Sequence, residues 1–466
     1  MKDSKRKAPH APLSGNMAVL GVIILASFLP PFVGSSLNVS APSIGLEFHT
    51  TVAALSWLVV AFLLCSVSLV LPLGRLGDLT SRRALLITGF IILAITSVIM
   101  LFSPSFAFII FMRVLQGIGG ACIFSTSQAI LTDAFPPTMR GRVLGLSISA
   151  VYAGLAMGPV LGGLLTHYFG WRSVFILIAL ASVITATVAL MKLPPNSHKA
   201  CTGSLLRLMD LPGCMLYLLA TLLLAYGLNR IPEMYAWVLT GLGALLVAAF
   251  ILYESRTSSP LLKPSLFKNS PNFLTSSIAA LLNYGATFAV SFLLSIYLQQ
   301  VKGFGADISG LVLVTAPLVQ SVLSPFAGRL SDKHSPFKLA SFGMAVCGIA
   351  LVSFAFISET SPIWHIFANL VLIGVGFALF SSPNMNAIMS GVPRPDYGIA
   401  VSFVATMRNL GQLTSMAAIA VVMGLTIGEA SVAETSAPQI VLILRISFGV
   451  FILLSIIGIF TSLKRK

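Results

Sequence analysis

Apolar residues run along this chain in long unbroken blocks, not in alternation. A helix needs about 20 apolar residues to cross a bilayer. Fourteen blocks meet that length: residues 17–43, 53–72, 84–103, 106–133, 142–167, 172–192, 210–228, 235–253, 272–299, 307–328, 337–358, 362–390, 397–426 and 437–461. Polar stretches between them are short, the longest lying near 193–209 and 254–271. Backbone groups in hydrocarbon have no water to bond, so such blocks fold as helices. The pattern predicts an all-α integral membrane protein with fourteen transmembrane helices. The first block follows a basic segment, as in a signal peptide, but its apolar run is too long for one, so it reads as an uncleaved helix.

Composition and charge sharpen this. Of 466 residues, 57% are hydrophobic and only 9% charged, against about 25% charged in soluble domains. A net charge of +15 raises nucleic acid as a partner, but the charges sit in short clusters between apolar blocks and no base-stacking module is present. Basic residues orient membrane proteins instead. With the N terminus inside, 22 of the 28 lysines and arginines fall on the inner side, and Arg172, Arg230 and Lys302 on the outer. Arg113, Arg408 and Arg445 fall within spans. This asymmetry predicts both termini in the cytoplasm, in a multi-pass protein of the cell membrane.

The chain also repeats itself. Gly74-Arg75-Leu76 and Asp78, in the stretch after the second span, recur as Gly328-Arg329-Leu330 and Asp332. "VLQGIGGA" at 114–121 matches "VLIGVGFA" at 371–378. Same-direction repeats of six helices are a transporter architecture, with the substrate site where the halves meet. The expected division is a tail at 1–16, a six-helix bundle at 17–192, linkers and an inserted helix pair at 193–271, a second six-helix bundle at 272–461 and a tail at 462–466.

No HExxH, Walker A or GxSxG pattern occurs, and none of the five cysteines forms a CxxC pair. Neither a catalytic centre, a metal nor a cofactor is expected. Glycines in "GIGGA" lack the strand context of a dinucleotide site and suit close helix packing.

At this point the residues resemble a family. "GRLGDLTSRR", "RVLQGIGGA", "GLAMGPVLGG" at 154–163 and "WRSVFI" at 171–176 are similar to signatures of the major facilitator superfamily. Fourteen spans resemble its drug–proton antiporter branch, the EmrB/QacA type. The resemblance implies a monomeric secondary transporter that exports small lipophilic or amphiphilic compounds by alternating access, coupled to protons. Two departures stand out: Val33 replaces an aspartate usual in the branch's first helix, and Ser81 replaces a glycine of the loop signature. Other readings remain open, namely proton-linked uptake of a small metabolite, or a receptor or assembly protein on a transporter scaffold.

Candidate residues follow. Gly74, Asp78, Arg82, Arg83 and Asp332 form a candidate conformational gate, since a carboxylate beside guanidinium groups can latch one state and release another. Arg113, Asp133 and Arg408 are candidates for proton coupling: the resemblance ties the fourth-helix arginine to that role, Arg408 is a second charge inside a span, where a charge faces a partner or a wet cavity, and Asp133 lies at a cytoplasmic helix end. Gly154, Gly158, Pro159, Gly162 and Gly163 form a helix-bend motif, which the resemblance associates with exporters. Asn38, Asn283, Tyr284, Asn384 and Asn386 are candidates to line the substrate cavity. None of the thirteen acids falls at mid-membrane depth. A buried cation there lacks a partner, which predicts neutral or anionic cargo.

Overall fold

The computed structural model describes residues 13–135, 137–194, 210–230, 233–257, 270–390, 392, 397–427 and 434–463. Among these, fourteen helices are long and apolar enough to cross a membrane. They are α1 (Leu13–Glu47), α2 (Val52–Leu79), α3 (Arg82–Met100), α4 (Phe106–Ala134), α5 (Pro137–Phe169), α6 (Arg172–Lys192), α7 (Leu211–Arg230) and α8 (Met234–Glu254). The second half contains α9 (Asn272–Val301), α10 (Ala306–Ser331), α11 (Pro336–Phe354), α12 (Ile363–Ser390), α13 (Tyr397–Ile427) and α14 (Ala437–Leu463). With an even number of spans among the described residues, Leu13 at the start of α1 and Leu463 at the end of α14 lie on one side, called here the terminus side; the other is the far side.

Several helices outrun their apolar blocks. The second block was expected to end at 72, which placed Gly74 and Asp78 in a loop. In the structure α2 continues to Leu79, so both residues sit in its last turns. Likewise Gly328 lies within α10, whose helical backbone continues to Lys333. Apolarity marks the thickness of the hydrocarbon, whereas backbone hydrogen bonding carries a helix on into the polar layer. The Thr80 N–H still donates to Leu76 O at 2.9 Å, and the Ser81 hydroxyl then accepts from Ala84 N at 3.1 Å to cap α3. The serine that departs from the family pattern is therefore an N-cap.

The helices form two six-helix bundles with matching contacts. In the first, α1 packs on α5, α2 on α4, and α3 on both α4 and α6. In the second, α9 packs on α13, α10 on α12, and α11 on both α12 and α14. The sequence repeat lies at close points of these contacts. A side chain at Gly117 would meet Phe62 O on α2 at 2.7 Å, and one at Gly119 would meet Gly89 O on α3 at 2.8 Å. Their counterparts behave alike: Gly374 faces Ala316 O on α10 at 2.6 Å, and Gly376 faces Gly343 O on α11 at 2.7 Å. Each glycine pair lets one helix touch two neighbours backbone to backbone, the close approach that small residues allow in lipid.

The bundles meet along two seams, α5 with α10 and α2 with α13. The inserted pair breaks the symmetry. α8 packs on α7, and α7 rests on α2 and α13, beside one seam only. Tyr217 donates to Val67 O at 2.8 Å, and Thr221 Oγ1 bonds Ser68 Oγ at 3.0 Å. Near the far side the Arg230 guanidinium lies 5.5 Å from the Trp57 ring centroid.

Gly119→Ala and Gly376→Ala are expected to lower thermal stability in detergent, each by about 1–3 kcal/mol of overpacking. Gly449→Ala, where a Cβ meets nothing within 4 Å, serves as control. Equal melting temperatures for all three would refute the packing role.

Candidate functional site

The glycine-proline motif of α5 has two faces. Gly154, Gly158 and Gly162 recur every four residues and so share one face of the helix. That face lies on α1: added side chains would run into Phe28 O, the Ser35 hydroxyl and Ser36 Cβ respectively. The other face belongs to the opposite bundle. A side chain at Gly163 would strike Ala306 O, and one at Gly310 would strike Pro159 O. Pro159 lacks an N–H and loosens the helix at that turn, and its carbonyl is where α10 makes contact. One motif thus fixes α5 to its own bundle and forms the seam to the other.

Further groups join the bundles near the far side. Gln299 Nε2 on α9 donates to Val39 O on α1 at 3.0 Å. His167 Nδ1 at the end of α5 sits 3.3 Å from Asp307 Oδ1 at the start of α10. That approach lacks hydrogen-bond geometry, so it is an electrostatic contact that strengthens when the imidazole is protonated. Within the first bundle Arg172 holds Glu47 through two bonds of 2.9 and 2.6 Å, and Trp171 Nε1 adds a third at 2.7 Å.

At mid-span a polar cluster lies between the bundles. Tyr152 of α5 donates to Ser381 Oγ of α12 at 2.9 Å. Gln320 of α10, Tyr284 of α9 and Arg408 of α13 neighbour the same hydroxyl. The Tyr284 ring meets Phe377 edge to face, centroids 4.9 Å apart. Gln320 is only 6% exposed, and its Nε2 has no hydrogen-bond partner; Arg408 Nε is likewise buried without one. One residue comes from the first bundle and five from the second. Such a cluster can offer hydrogen bonds to a polar ligand where the bundles meet.

The terminus side carries an ion cluster. Arg82, first residue of α3, donates through Nε to Asp78 Oδ1 of α2 at 2.7 Å and through Nη1 to Asp133 Oδ2 of α4. One guanidinium therefore clasps two carboxylates, and three helices of one bundle, at a partly exposed position. Arg83 donates to Leu190 O of α6 at 2.5 Å. The Asp332 side chain lies outside the described residues.

Arg113 is fully buried. Its Nε donates to Leu58 O at 2.7 Å, its Nη1 to Gln116 Oε1 at 2.7 Å, and its guanidinium lies 4.7 Å from the Phe62 ring centroid. Gln116 passes the chain on to Ser97 Oγ at 3.0 Å. This seat ties α4 to α2 and α3 through a carbonyl, an amide and a ring.

The five cavity candidates divide. Tyr284 joins the mid-span cluster. Asn384 Nδ2 instead bonds Ser276 O at 3.1 Å, and Asn386 Nδ2 bonds Ser331 Oγ at 2.5 Å, each bracing two helices of the second bundle. Asn38 and Asn283 are buried with one side-chain atom unpartnered, Oδ1 and Nδ2 respectively. Sequence reasoning missed Tyr152, Gln320 and Ser381. Their signal is a large polar side chain in an apolar block, and Gln320 in "APLVQSVL" shows it most clearly.

Comparison with known proteins gives a consistent result. Residues 23–416 match the Major Facilitator Superfamily. The riboflavin transporter RibZ of Clostridioides difficile is 31% identical over 84% of this chain and 85% of its own. A methylenomycin A resistance protein of Streptomyces coelicolor is 26% identical over 89% of this chain and 88% of its own. The multidrug resistance protein Stp of Mycobacterium tuberculosis is 26% identical over 83% of this chain and 72% of its own. Among solved structures, a bacterial homologue of the human lysosomal transporter Spinster, in an inward-facing conformation, superimposes with a TM-score of 0.71. It covers 97% of both chains at 16% identity, a likeness of fold.

The α5–α10 seam yields a prediction. Gly310→Ala drives a methyl group toward Pro159 O and is expected to disfavour closure on the far side by about 1–3 kcal/mol, roughly 5- to 150-fold in the conformational balance. A cysteine introduced at Ser309, which is buried in this state, then reacts faster with an impermeant maleimide. Unchanged labelling in the alanine background would show that this contact does not control access to Ser309.

Proposed function

The chain belongs to the Major Facilitator Superfamily, and from that premise we propose that it is a secondary transporter exporting small lipophilic or amphiphilic compounds by alternating access, in the fourteen-span drug–proton antiporter branch. The observation that carries the reading is the mid-span cluster of Tyr152, Tyr284, Gln320 and Arg408, built from both bundles. Export is supported by the two-faced glycine-proline motif of α5 and by two relatives whose names refer to resistance. In this reading the terminus side faces the cytoplasm.

The cycle has a physical outline. Cargo enters from the terminus side and binds at mid-span. The α5–α10 seam parts on the far side, while the opposite ends of the bundles approach. The Arg82 clasp on Asp78 and Asp133 is the gate on the terminus side. Its carboxylates stand half-exposed to solvent, and we place proton coupling there. Arg113 acts as a brace: its partners are a carbonyl, an amide and a ring.

A second reading, uptake of a small metabolite, is favoured by one observation, the 31% identity to a protein named as a riboflavin transporter. Direction separates the two. In an efflux-deficient host, the export reading expects expression of the chain to protect against neutral and acidic lipophilic compounds and to lower their accumulation. Uptake raises accumulation instead. Asp78→Asn removes one arm of the clasp. Half-exposed ion pairs contribute up to about 1 kcal/mol, so transport is expected to fall about two- to fivefold with expression near normal. Full transport by Asp78→Asn would leave the cluster as a determinant of topology alone.

A further inference from the structure

Within the mid-span cluster the hydrogen-bonding inventory is lopsided. Donors are in excess. Gln320 is nine-tenths buried, and its Nε2 makes no well-formed hydrogen bond although the Tyr152 hydroxyl stands beside it. Arg408 Nε is buried in the same condition, although a guanidinium has five N–H groups to place. Tyr152 spends its own proton on Ser381 Oγ. The titratable and charged groups facing one another here are Tyr152, Tyr284 and Arg408, so the cluster's formal charge is that of Arg408. None of the thirteen acids lies in the middle of any span.

A buried donor with no acceptor is costly, and hydrocarbon cannot supply one. The complement missing from this cluster is an acceptor with negative charge. A carboxylate fits best: its two oxygens match the planar fork of a guanidinium, and a free lone pair remains for the Gln320 amide. Beside these donors stand the Tyr284 and Phe377 rings, already edge to face. A flat aromatic body continues that arrangement, since rings favour offset or edge-on neighbours.

We propose that the site takes an aromatic anion whose carboxylate, or equivalent acidic edge, is held between Arg408 and Gln320 while its ring lies against Tyr284 and Phe377. This rests on the cluster being the transport site. It also goes beyond that reading, because it assigns the cargo's charge, shape and orientation. An aromatic cation of the same size meets the guanidinium head-on and is rejected.

Three probes that share one ring system test the idea: 2-naphthoate, 2-naphthamide and 2-naphthylmethylammonium. Binding to the purified full-length protein in detergent is measured by titration calorimetry. Naphthoate is expected to bind at least tenfold tighter than the ammonium compound, with the amide between them. Arg408→Gln is expected to weaken naphthoate at least tenfold and naphthamide less than threefold. Arg408→Lys, which keeps the charge and loses the fork, retains the preference for anion over cation at reduced affinity. It guards against a misfolded glutamine variant. Gln320→Leu is expected to weaken both acceptor probes severalfold. Undetectable naphthoate binding, equal or tighter binding of the ammonium probe, or an unchanged naphthoate affinity in Arg408→Gln each overturns the proposal. Flux in vesicles separates this from the export reading. Naphthoate binding without outward transport overturns export and leaves the site assignment standing. Outward transport of cations that ignores Arg408 does the reverse.

Discussion

Backbone contact along α5 is the constraint on which the rest of this protein depends. Lipid tails are as apolar as leucine, so helices in a membrane gain little by hiding apolar surface from one another and associate through close packing and hydrogen bonds. α5 achieves this on two faces at once. Gly154, Gly158 and Gly162 lie against Phe28, Ser35 and Ser36 of α1, while Pro159 O and Gly163 meet Gly310 and Ala306 of the second bundle. The first contact is internal to a bundle and the second is between bundles. A rigid-body motion must keep one and break the other. The four-residue spacing on one side, and the single points of touch on the other, fit those two duties.

Much of this fold is legible in the sequence, and the reasons are specific. Apolar block length gives all fourteen spans, and the repeat of "VLQGIGGA" as "VLIGVGFA" marks the glycines that bring three helices together in each half. Block edges mislead where a helix leaves the hydrocarbon, as at Asp78 and Gly328, because hydropathy falls before hydrogen bonding ends. The site is less legible. Tyr284 and Arg408 stand out as polar residues in apolar blocks, but so do Asn384 and Asn386, which brace helices. A sequence shows that a polar residue is buried. Only the fold shows whether it faces its own bundle or the opposite one.

The two arginines buried in spans make the same point. Arg113 and Arg408 look alike in the sequence. Arg113 is fully enclosed, with a carbonyl, an amide and a ring as partners and its Nη2 unpartnered. Arg408 keeps company with tyrosine hydroxyls and a glutamine between bundles, and its Nε is unpartnered. The first is held by groups of its own bundle, and the second stands where the two bundles meet.

The position of Arg408 also has an electrical consequence. A fixed positive charge between the bundles is felt by the membrane field, and moving one elementary charge through 100 mV changes its energy by about 2.3 kcal/mol. In the proposed cycle an anion bound beside Arg408 cancels its charge, so the loaded turn does little electrical work, whereas the return turn moves Arg408 without its anion. With the terminus side in the cytoplasm, as proposed, an interior-negative voltage favours that return, and voltage acts on this half of the cycle rather than on the loaded half.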